Sequence, residues 1–316
     1  MNATAGLPLV TGATGFAGSH LVEQLLASST AVAAWSHARG RLVQSRDRRI
    51  RWLAVDLLDK ASIQRALLEL QPAVAFHLAG VPHVAESWKH AGRALQVNAL
   101  ATHHLLEAVQ AVVPTCKVIV AGSALVYRPS VNALSEDDPL GPSDPYGVSK
   151  LAQEMRAAQA STPVVCTRSF NHAGPRQSEA FVTSGFAKQI AEIEAGIRES
   201  RLLVGNLDAR RDMMDVRDTA RAYEALAVAG VAGRVYNVCS GAAYRIGDLL
   251  ERLLAMARVR VTVEQDPSRL RPSDNPVVLG DPSTIIADTG WRPEIPIERT
   301  LADLLAWWRA HIAAGR

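Results

Sequence analysis

Three glycines at three-residue intervals, Gly12, Gly15 and Gly18, stand between a short apolar run at 7–10 and a segment in which Leu21, Val22 and Leu25 recur at helical spacing. Few folds accept that order. Gly12 is suited to a tight turn, Gly15 to close approach of the backbone to a pyrophosphate, and Gly18 to close packing of helix on strand. The helix start offers unpaired N–H groups to an anion, and Thr14 and Phe16 belong to the same turn. The stretch predicts a dinucleotide-binding turn at the edge of a parallel sheet.

Further apolar runs at 31–35, 50–55, 74–78, 117–121 and 164–169 read as strands, and helical patterns lie between them. Asp59 suits an N-cap for the helix carrying Ile63, Ala66, Leu67 and Leu70, Pro72 stops that helix, and a long helical pattern covers about 88–112. Six strands alternating with helices predict an α/β chain with a doubly wound parallel sheet, the Rossmann arrangement. After Ser169 the spacing becomes irregular, and Phe170-Asn171-His172-Ala173-Gly174-Pro175-Arg176 reads as a loop. Helices are expected at 181–197, 217–228, 246–257 and 300–312, and strands at 234–239 and 259–264. The 234–239 strand can return to the large sheet. Residues 1–170 with 213–239 are therefore expected to form the dinucleotide-binding unit, and 171–212 with 240–316 a smaller, discontinuous α/β substrate unit.

A 48% hydrophobic content over 316 residues supports a sizeable core. Thirty-four basic against 31 acidic residues leave a net charge of +3, with basic residues scattered apart from Arg46 to Arg51, so no nucleic-acid partner is expected. Cys116, Cys166 and Cys239 lack disulfide or zinc spacing and read as buried thiols in a reducing cytosol. No apolar stretch reaches the roughly 18 residues that span a bilayer, so no membrane association and a cytoplasmic location are expected.

The second strand ends in Ser36-His37-Ala38-Arg39, where an NAD site usually places a carboxylate on the ribose. Ser36, His37 and Arg39 suit a 2′-phosphate, so NADP(H) is the expected cofactor, with NAD(H) possible. Asp56, beside Leu57, either meets the adenine edge or caps the turn before Asp59. Leu78, Ala79 and Gly80 end the fourth strand in residues small enough for a cofactor to pass over it. Asn98, amid apolar neighbours, organises a turn, serves a proton path or is simply a satisfied structural residue. Ser123 follows the fifth strand, at the sheet edge where ligands bind. Tyr146 and Lys150, four apart at a helix start, share one face, and an ammonium beside a phenol favours the phenolate, lowering its usual pKa of about 10.

The glycine turn, Ser123 and the Tyr146–Lys150 pair together resemble the extended short-chain dehydrogenase/reductases that act on nucleotide sugars. The resemblance implies Ser123, Tyr146 and Lys150 as catalytic residues, with Lys150 also bonding the nicotinamide ribose and with no metal. Gly205-Asn206-Leu207-Asp208-Ala209-Arg210-Arg211-Asp212, Phe181-Val182-Thr183 and Arg271-Pro272-Ser273-Asp274 are similar to stretches of the GDP-mannose 4,6-dehydratase branch. That likeness implies that Arg211 and Arg271 hold a nucleotide diphosphate, a task suited to a guanidinium. It places Asn171 at the diphosphate or sugar, with Lys188 and Asp274 also in the substrate set. Dehydratases follow their catalytic Thr with Asp-Glu or Ser-Glu to move protons during elimination, whereas this chain has Ala124 and Leu125. Ser184-Gly185 replaces a usual Arg-Lys, and Arg128 stands where Gly is common. The expectation is a reductase of a GDP-4-keto-6-deoxy sugar, GDP-4-keto-6-deoxy-D-mannose to a product such as GDP-D-rhamnose. The alternatives are a nucleotide-sugar 4-epimerase with tightly bound NAD and a non-catalytic dinucleotide-binding regulator. Related enzymes pair through the helices carrying Asn98 and Tyr146, which implies a homodimer.

Overall fold

Strand β1 (Leu9–Thr11) is wholly buried, and its successive side chains feed two different cores. Leu9 points to one face of the sheet and Val10 to the other, as the two-residue strand period requires. The computed structural model describes residues 6–29, 31–37, 47–269 and 275–315. Around β1 lie β2 (Val32–Ser36), β3 (Ile50–Ala54), β4 (Val74–His77), β5 (Lys117–Ala121) and β6 (Val164–Ser169). They run parallel in one seven-stranded sheet of order β10-β6-β5-β4-β1-β2-β3, in which β10 (Val235–Val238) is the strand that returns from the second half.

Helix α1 (Phe16–Ser28) covers the Val10 face. On the Leu9 face lie α2 (Lys60–Leu70), whose N-cap Asp59 accepts from the N–H groups of Ala61 and Ser62, and α5 (Ala101–Val112). The long helix expected at 88–112 is instead broken. Helix α3 (Val84–Lys89) ends at His90, whose φ of −138° is not helical, then α4 (Ala91–Leu95) runs into a π-turn (Gln96–Leu100) before α5. Apolar periodicity runs through both interruptions, which explains the difference. Helix α6 (Pro145–Ala158) packs on α3, α4 and the π-turn.

The stretch 170–176 expected as a loop contains a strand, β7 (Asn171–Ala173), paired to β9 (Arg210–Asp215). Helix α7 (Val182–Glu194) and β8 (Arg201–Val204) lie between them, and α8 (Val216–Ala229) then packs beside α1. Strands β11 (Ala243–Arg245) and β13 (Val277–Val278) flank β9, and β12 (Thr262–Gln265) pairs with β8. Helix α9 (Ile246–Ala255) and α11 (Ile297–Ala314) join α7 around Ile190, Leu249, Leu253, Leu301 and Leu304, a third core. Helix α10 (Ser283–Thr289) lies elsewhere: Ile285 and Trp291 enter the core shared with α1 and α8. The Trp291 indole N–H donates to the Asp218 carbonyl at 3.1 Å, so 283–291 sits against the large sheet although it follows the small unit in sequence.

Candidate active site

The glycine turn is built so that two of its residues have no room for a side chain. Gly12 has φ +66°, and a Cβ there would lie 2.7 Å from the Ala79 nitrogen and 2.9 Å from the Leu78 carbonyl carbon. A Cβ on Gly18 would lie 2.1 Å from the Gly12 oxygen, so α1 rests directly on the turn. Gly15 is the N-cap of α1 and offers no side-chain cap, leaving the first N–H groups to face outward beside exposed Thr14. Phe16 begins the helix with its ring stacked on His172 at 5.7 Å. Such a cradle fits a pyrophosphate. At the end of β2 the Ser36 hydroxyl is buried and has no hydrogen-bond partner, with exposed His37 next to it, which fits a further polar group arriving at that strand end. Arg39 lies outside the described residues. Asp56 accepts from the Leu58 N–H at 2.9 Å, which is the turn-capping arrangement, and Leu57 packs partly into the core.

Beyond β5, Ser123 caps a single 3₁₀ turn (Ala124–Val126), its Oγ accepting from the Leu125 N–H at 3.2 Å. Pro145 starts α6 and Asp144 caps it through the Gly147 N–H at 2.8 Å, which sets Tyr146 in the first turn. Burial pushes the Tyr146 phenol up to about 12; the Ser123 hydroxyl bonded to it works the other way, and Tyr223 and Asp144 add to the rise. The sequence leads one to expect the reverse, a phenol lowered by Lys150. The reason is where the ammonium goes: Lys150 Nζ donates to the Ala121 carbonyl at 2.9 Å and to Gln153 Oε1 at 2.8 Å. Burial lowers Lys150 itself to about 8.

Asn98 is fully buried in the π-turn, and its side chain is satisfied. Its Oδ1 accepts from the Val81 N–H at 2.8 Å, and its Nδ2 donates to Ser149 Oγ at 2.8 Å. It therefore organises the turn after β4. A Cβ on Gly80 would lie 2.7 Å from Asn98 Oδ1 and 3.6 Å from Lys150 Nζ, so the end of β4 passes directly before the lysine.

The residues expected around a substrate are more dispersed. Asn171 is exposed on β7. Arg211, half-buried on β9, donates from Nη1 to the Arg210 and Asn275 carbonyls at 2.9 and 2.7 Å. Lys188 on α7 is held by Glu179 at 3.0 Å and Glu192 at 3.7 Å and lies over the Trp308 ring. Arg271 and Asp274 lie outside the described residues. Ser184 is an interior brace, donating to the Gln177 carbonyl at 2.6 Å and accepting from the Trp308 indole at 2.9 Å. A clamp absent from the sequence reading joins the two sides: Arg176, at φ +74°, bonds both Glu23 carboxylate oxygens and donates to His20 Nδ1 at 2.8 Å, while His20 Nε2 bonds the Pro175 carbonyl at 2.9 Å. It fastens the segment after β7 to α1. Also missed were His77, Thr102 and Gln153, whose buried side chains connect over long sequence separations; Gln153, three residues after Lys150 on the same helix, was the one with a local signal.

A parallel seven-stranded sheet with this turn after β1, a Ser after β5 and a Tyr and Lys on α6 defines a Rossmann-type oxidoreductase. The family model described as GDP-mannose 4,6 dehydratase matches residues 9–304. Among curated relatives, the GDP-6-deoxy-D-mannose reductase of Pseudomonas aeruginosa is 37% identical over 96% of this chain and 97% of its own, and a GDP-mannose 4,6-dehydratase of Vibrio cholerae is 27% identical over 94% and 92%. The solved structure of RMD from Pseudomonas aeruginosa complexed with NADPH superposes with a TM-score of 0.85 at 34% identity, covering 97% of this chain and all of that one. The chain belongs to the GDP-mannose 4,6-dehydratase family.

Proposed function

We propose that the protein reduces the C4 ketone of GDP-4-keto-6-deoxy-D-mannose, giving a GDP-6-deoxyhexose such as GDP-D-rhamnose. The observation that carries this reading is the make-up of the site beside Tyr146: it holds a protonated phenol and a serine hydroxyl, while the two residues after Ser123 are the apolar Ala124 and Leu125. Likeness to a GDP-6-deoxy-D-mannose reductase over nearly the whole chain supports it.

NADPH supplies the hydride when bound. Gly12, Gly15 and Gly18 with the start of α1 would hold its pyrophosphate, with Thr14 and Phe16 in the same turn, and Ser36, His37 and Arg39 would receive the 2′-phosphate. Asp56, Leu57, Leu78, Ala79 and Gly80 would contact it at the strand ends, with Asn98 holding the turn after β4. Tyr146 donates its proton to the developing alkoxide, and a phenol at about 12 is fully protonated at neutral pH and still a stronger acid than an alcohol. Ser123 donates a hydrogen bond to the same oxygen, and Lys150 contributes a positive charge. We assign binding of the sugar nucleotide to Asn171, Lys188, Arg211, Arg271 and Asp274, so the large sheet would serve the dinucleotide and the β9 sheet with α7, α9 and α11 the substrate.

Mass spectrometry after incubation with each sugar tests the reading. The preformed keto sugar should gain about 2 Da, and GDP-mannose should show no loss of about 18 Da, since elimination needs a general acid and base that typically contribute about 10² to 10⁴-fold each. Catalytic dehydration of GDP-mannose would overturn the assignment. We further propose a homodimer: Trp88 is 60% exposed, Met155 61%, Val148 46% and Leu95 41%, on helices α3, α4 and α6, which pack against one another. Light scattering should return twice the chain mass. Among the described residues no helix is long and apolar enough to cross a membrane. The three buried free thiols suit a reducing cytoplasm.

A further inference from the structure

We infer that Gln153 is a positioning residue for the reaction: through its carboxamide, a buried chain of Thr11, His77 and Thr102 holds the Lys150 ammonium in the one orientation that leaves an N–H for the cofactor. The inference rests on the reading that Lys150 serves a bound nicotinamide dinucleotide.

The hydrogens of this chain can be assigned. Thr102 Oγ1 lies 2.7 Å from the Asn98 carbonyl, which can only accept, so the single hydroxyl hydrogen goes there. Both remaining positions on that oxygen must then accept, from Gln153 Nε2 at 2.9 Å and from His77 Nε2 at 2.8 Å. His77 is thus the Nε2–H tautomer, and its Nδ1 accepts from Thr11 Oγ1 at 2.9 Å. Thr11 Oγ1 accepts in turn from the Ala79 N–H at 3.2 Å. With Nε2 of Gln153 committed to Thr102, its Oε1 must face Lys150, 2.8 Å away, and a flipped carboxamide would set donor against donor at Lys150 and acceptor against acceptor at Thr102.

Each member is shielded from solvent: His77 and Thr102 are 0% exposed and Gln153 is 1% exposed. Burial keeps His77 neutral by lowering it to about 3, so it does not set a second cation against the ammonium. Of the three N–H groups of Lys150, the Ala121 carbonyl takes one and Gln153 another. The third is left for a ligand, and the end of β4 runs close by, where a Cβ on Gly80 would lie 3.6 Å from the ammonium nitrogen. The π-turn belongs to the same device. Ser149 and Gln153, four apart on α6, grip it and the start of α5, Ser149 through Asn98 Nδ2 and Gln153 through Thr102 Oγ1, and Ser149 also donates to the Tyr146 carbonyl at 2.7 Å. The chain begins at Thr11, directly before Gly12, so the lysine is aligned from the same turn that cradles the pyrophosphate.

The test compares Gln153→Leu with Gln153→Glu. Leucine removes both polar ends at similar size, and glutamate keeps an oxygen toward Lys150 while giving up the donor to Thr102. For each, kcat on the keto sugar, KM for both reactants, NADPH affinity by fluorescence and thermal unfolding are measured on the full chain. We expect Gln153→Leu to lose roughly 10- to 100-fold in kcat or NADPH affinity, the scale on which outer partners of a functional group act, with KM for the sugar unchanged. Gln153→Glu, which keeps the acceptor for Lys150 but breaks the link to Thr102, should lose activity or NADPH affinity by a clearly smaller factor than Gln153→Leu. Parent-like kcat and NADPH affinity in folded Gln153→Leu, or equal losses in both variants, would overturn the inference. Should Gln153→Leu not fold, Thr102→Val and its rescue Thr102→Ser cut and restore the same chain one step away, with the same two outcomes. A parent enzyme that binds NADPH but does not reduce the sugar indicts the proposed reaction instead, since the effect of Gln153→Leu on NADPH affinity is read without it.

Discussion

The corner between β1, β4, β5 and α6 and the small sheet around β9 carry their chemistry in different ways. In the corner, backbone geometry dictates residue identity: Gly12 and Gly18 admit no Cβ, and the Lys150 ammonium has two fixed acceptors. Around β9, chemistry rests on long side chains near the surface, with Arg211 half-buried and Lys188 shared between two glutamates. A constraint imposed by the backbone leaves few alternatives and is therefore visible in sequence. A guanidinium that can reach several partners leaves many.

The largest expected effect lies in the corner. Tyr146→Phe removes one hydroxyl and should lower kcat by about 10²-fold or more, the usual contribution of a general acid, with NADPH affinity and KM for the sugar little changed. Stopped-flow absorbance of NADPH checks it. A parent rate in this variant would mean that the corner does not own the chemistry and the comparison fails. Next, Ser36→Asp places a carboxylate where the buried Ser36 hydroxyl lacks a partner. Repulsion of a 2′-phosphate by a near-surface charge, of order 1–4 kcal/mol at 4 Å, should cut the ratio of kcat/KM for NADPH over NADH by about 30-fold. An unchanged ratio would show that the 2′-phosphate is read elsewhere.

The sequence was legible where chemistry and local spacing coincide. Asp59 caps α2 two and three residues on, Tyr146 and Lys150 fall four apart on one helix, and the strands β5 and β6 end as their apolar runs do. It was not legible where partners are remote. His77 and Thr102 are separated by 25 residues and Thr102 and Gln153 by 51, so nothing local announces that their side chains meet. Strand β9 reads Arg-Arg-Asp before its apolar residues because Asp212 is fully buried, accepting from Ser240, Gly241 and Gly280, an interior role that breaks the alternation expected of a strand. The π-turn was hidden for the opposite reason: an extra residue in a helical turn leaves apolar periodicity almost intact.

On the substrate side the expected effects are smaller. Arg211→Ala should raise KM for the GDP-sugar by about tenfold with kcat within a factor of about two, because a guanidinium contributes binding rather than proton transfer. If Arg211 only braces the loop at Asn275, the variant would melt earlier with KM unchanged, and the two regions would differ less in function than in packing.

The smallest effect separates the regions by pH. Burial holds Lys150 near 8, below the ordinary 10.5, while Tyr146 at about 12 stays protonated and His77 at about 3 stays neutral across the working range. Between about pH 8 and 10.5 the unfolded chain keeps a proton on this lysine that the folded chain has released. Through this group, then, the folded state is penalised most below pH 8 and regains stability as pH rises toward 10.5. Activity should move the other way, because the ammonium that serves the cofactor and the transition state is lost over the same interval. We expect kcat/KM for NADPH to fall several-fold between pH 7.5 and 9.5 with an apparent pKa near 8, and the step to vanish in Lys150→Met, which should be low and flat. The binding of the sugar nucleotide, which we assign to guanidinium groups of the other region, should not follow that step. A pKa near 8 in KM for the sugar rather than in kcat/KM for NADPH would place the titrating group on the substrate side and dissolve the distinction between the two regions.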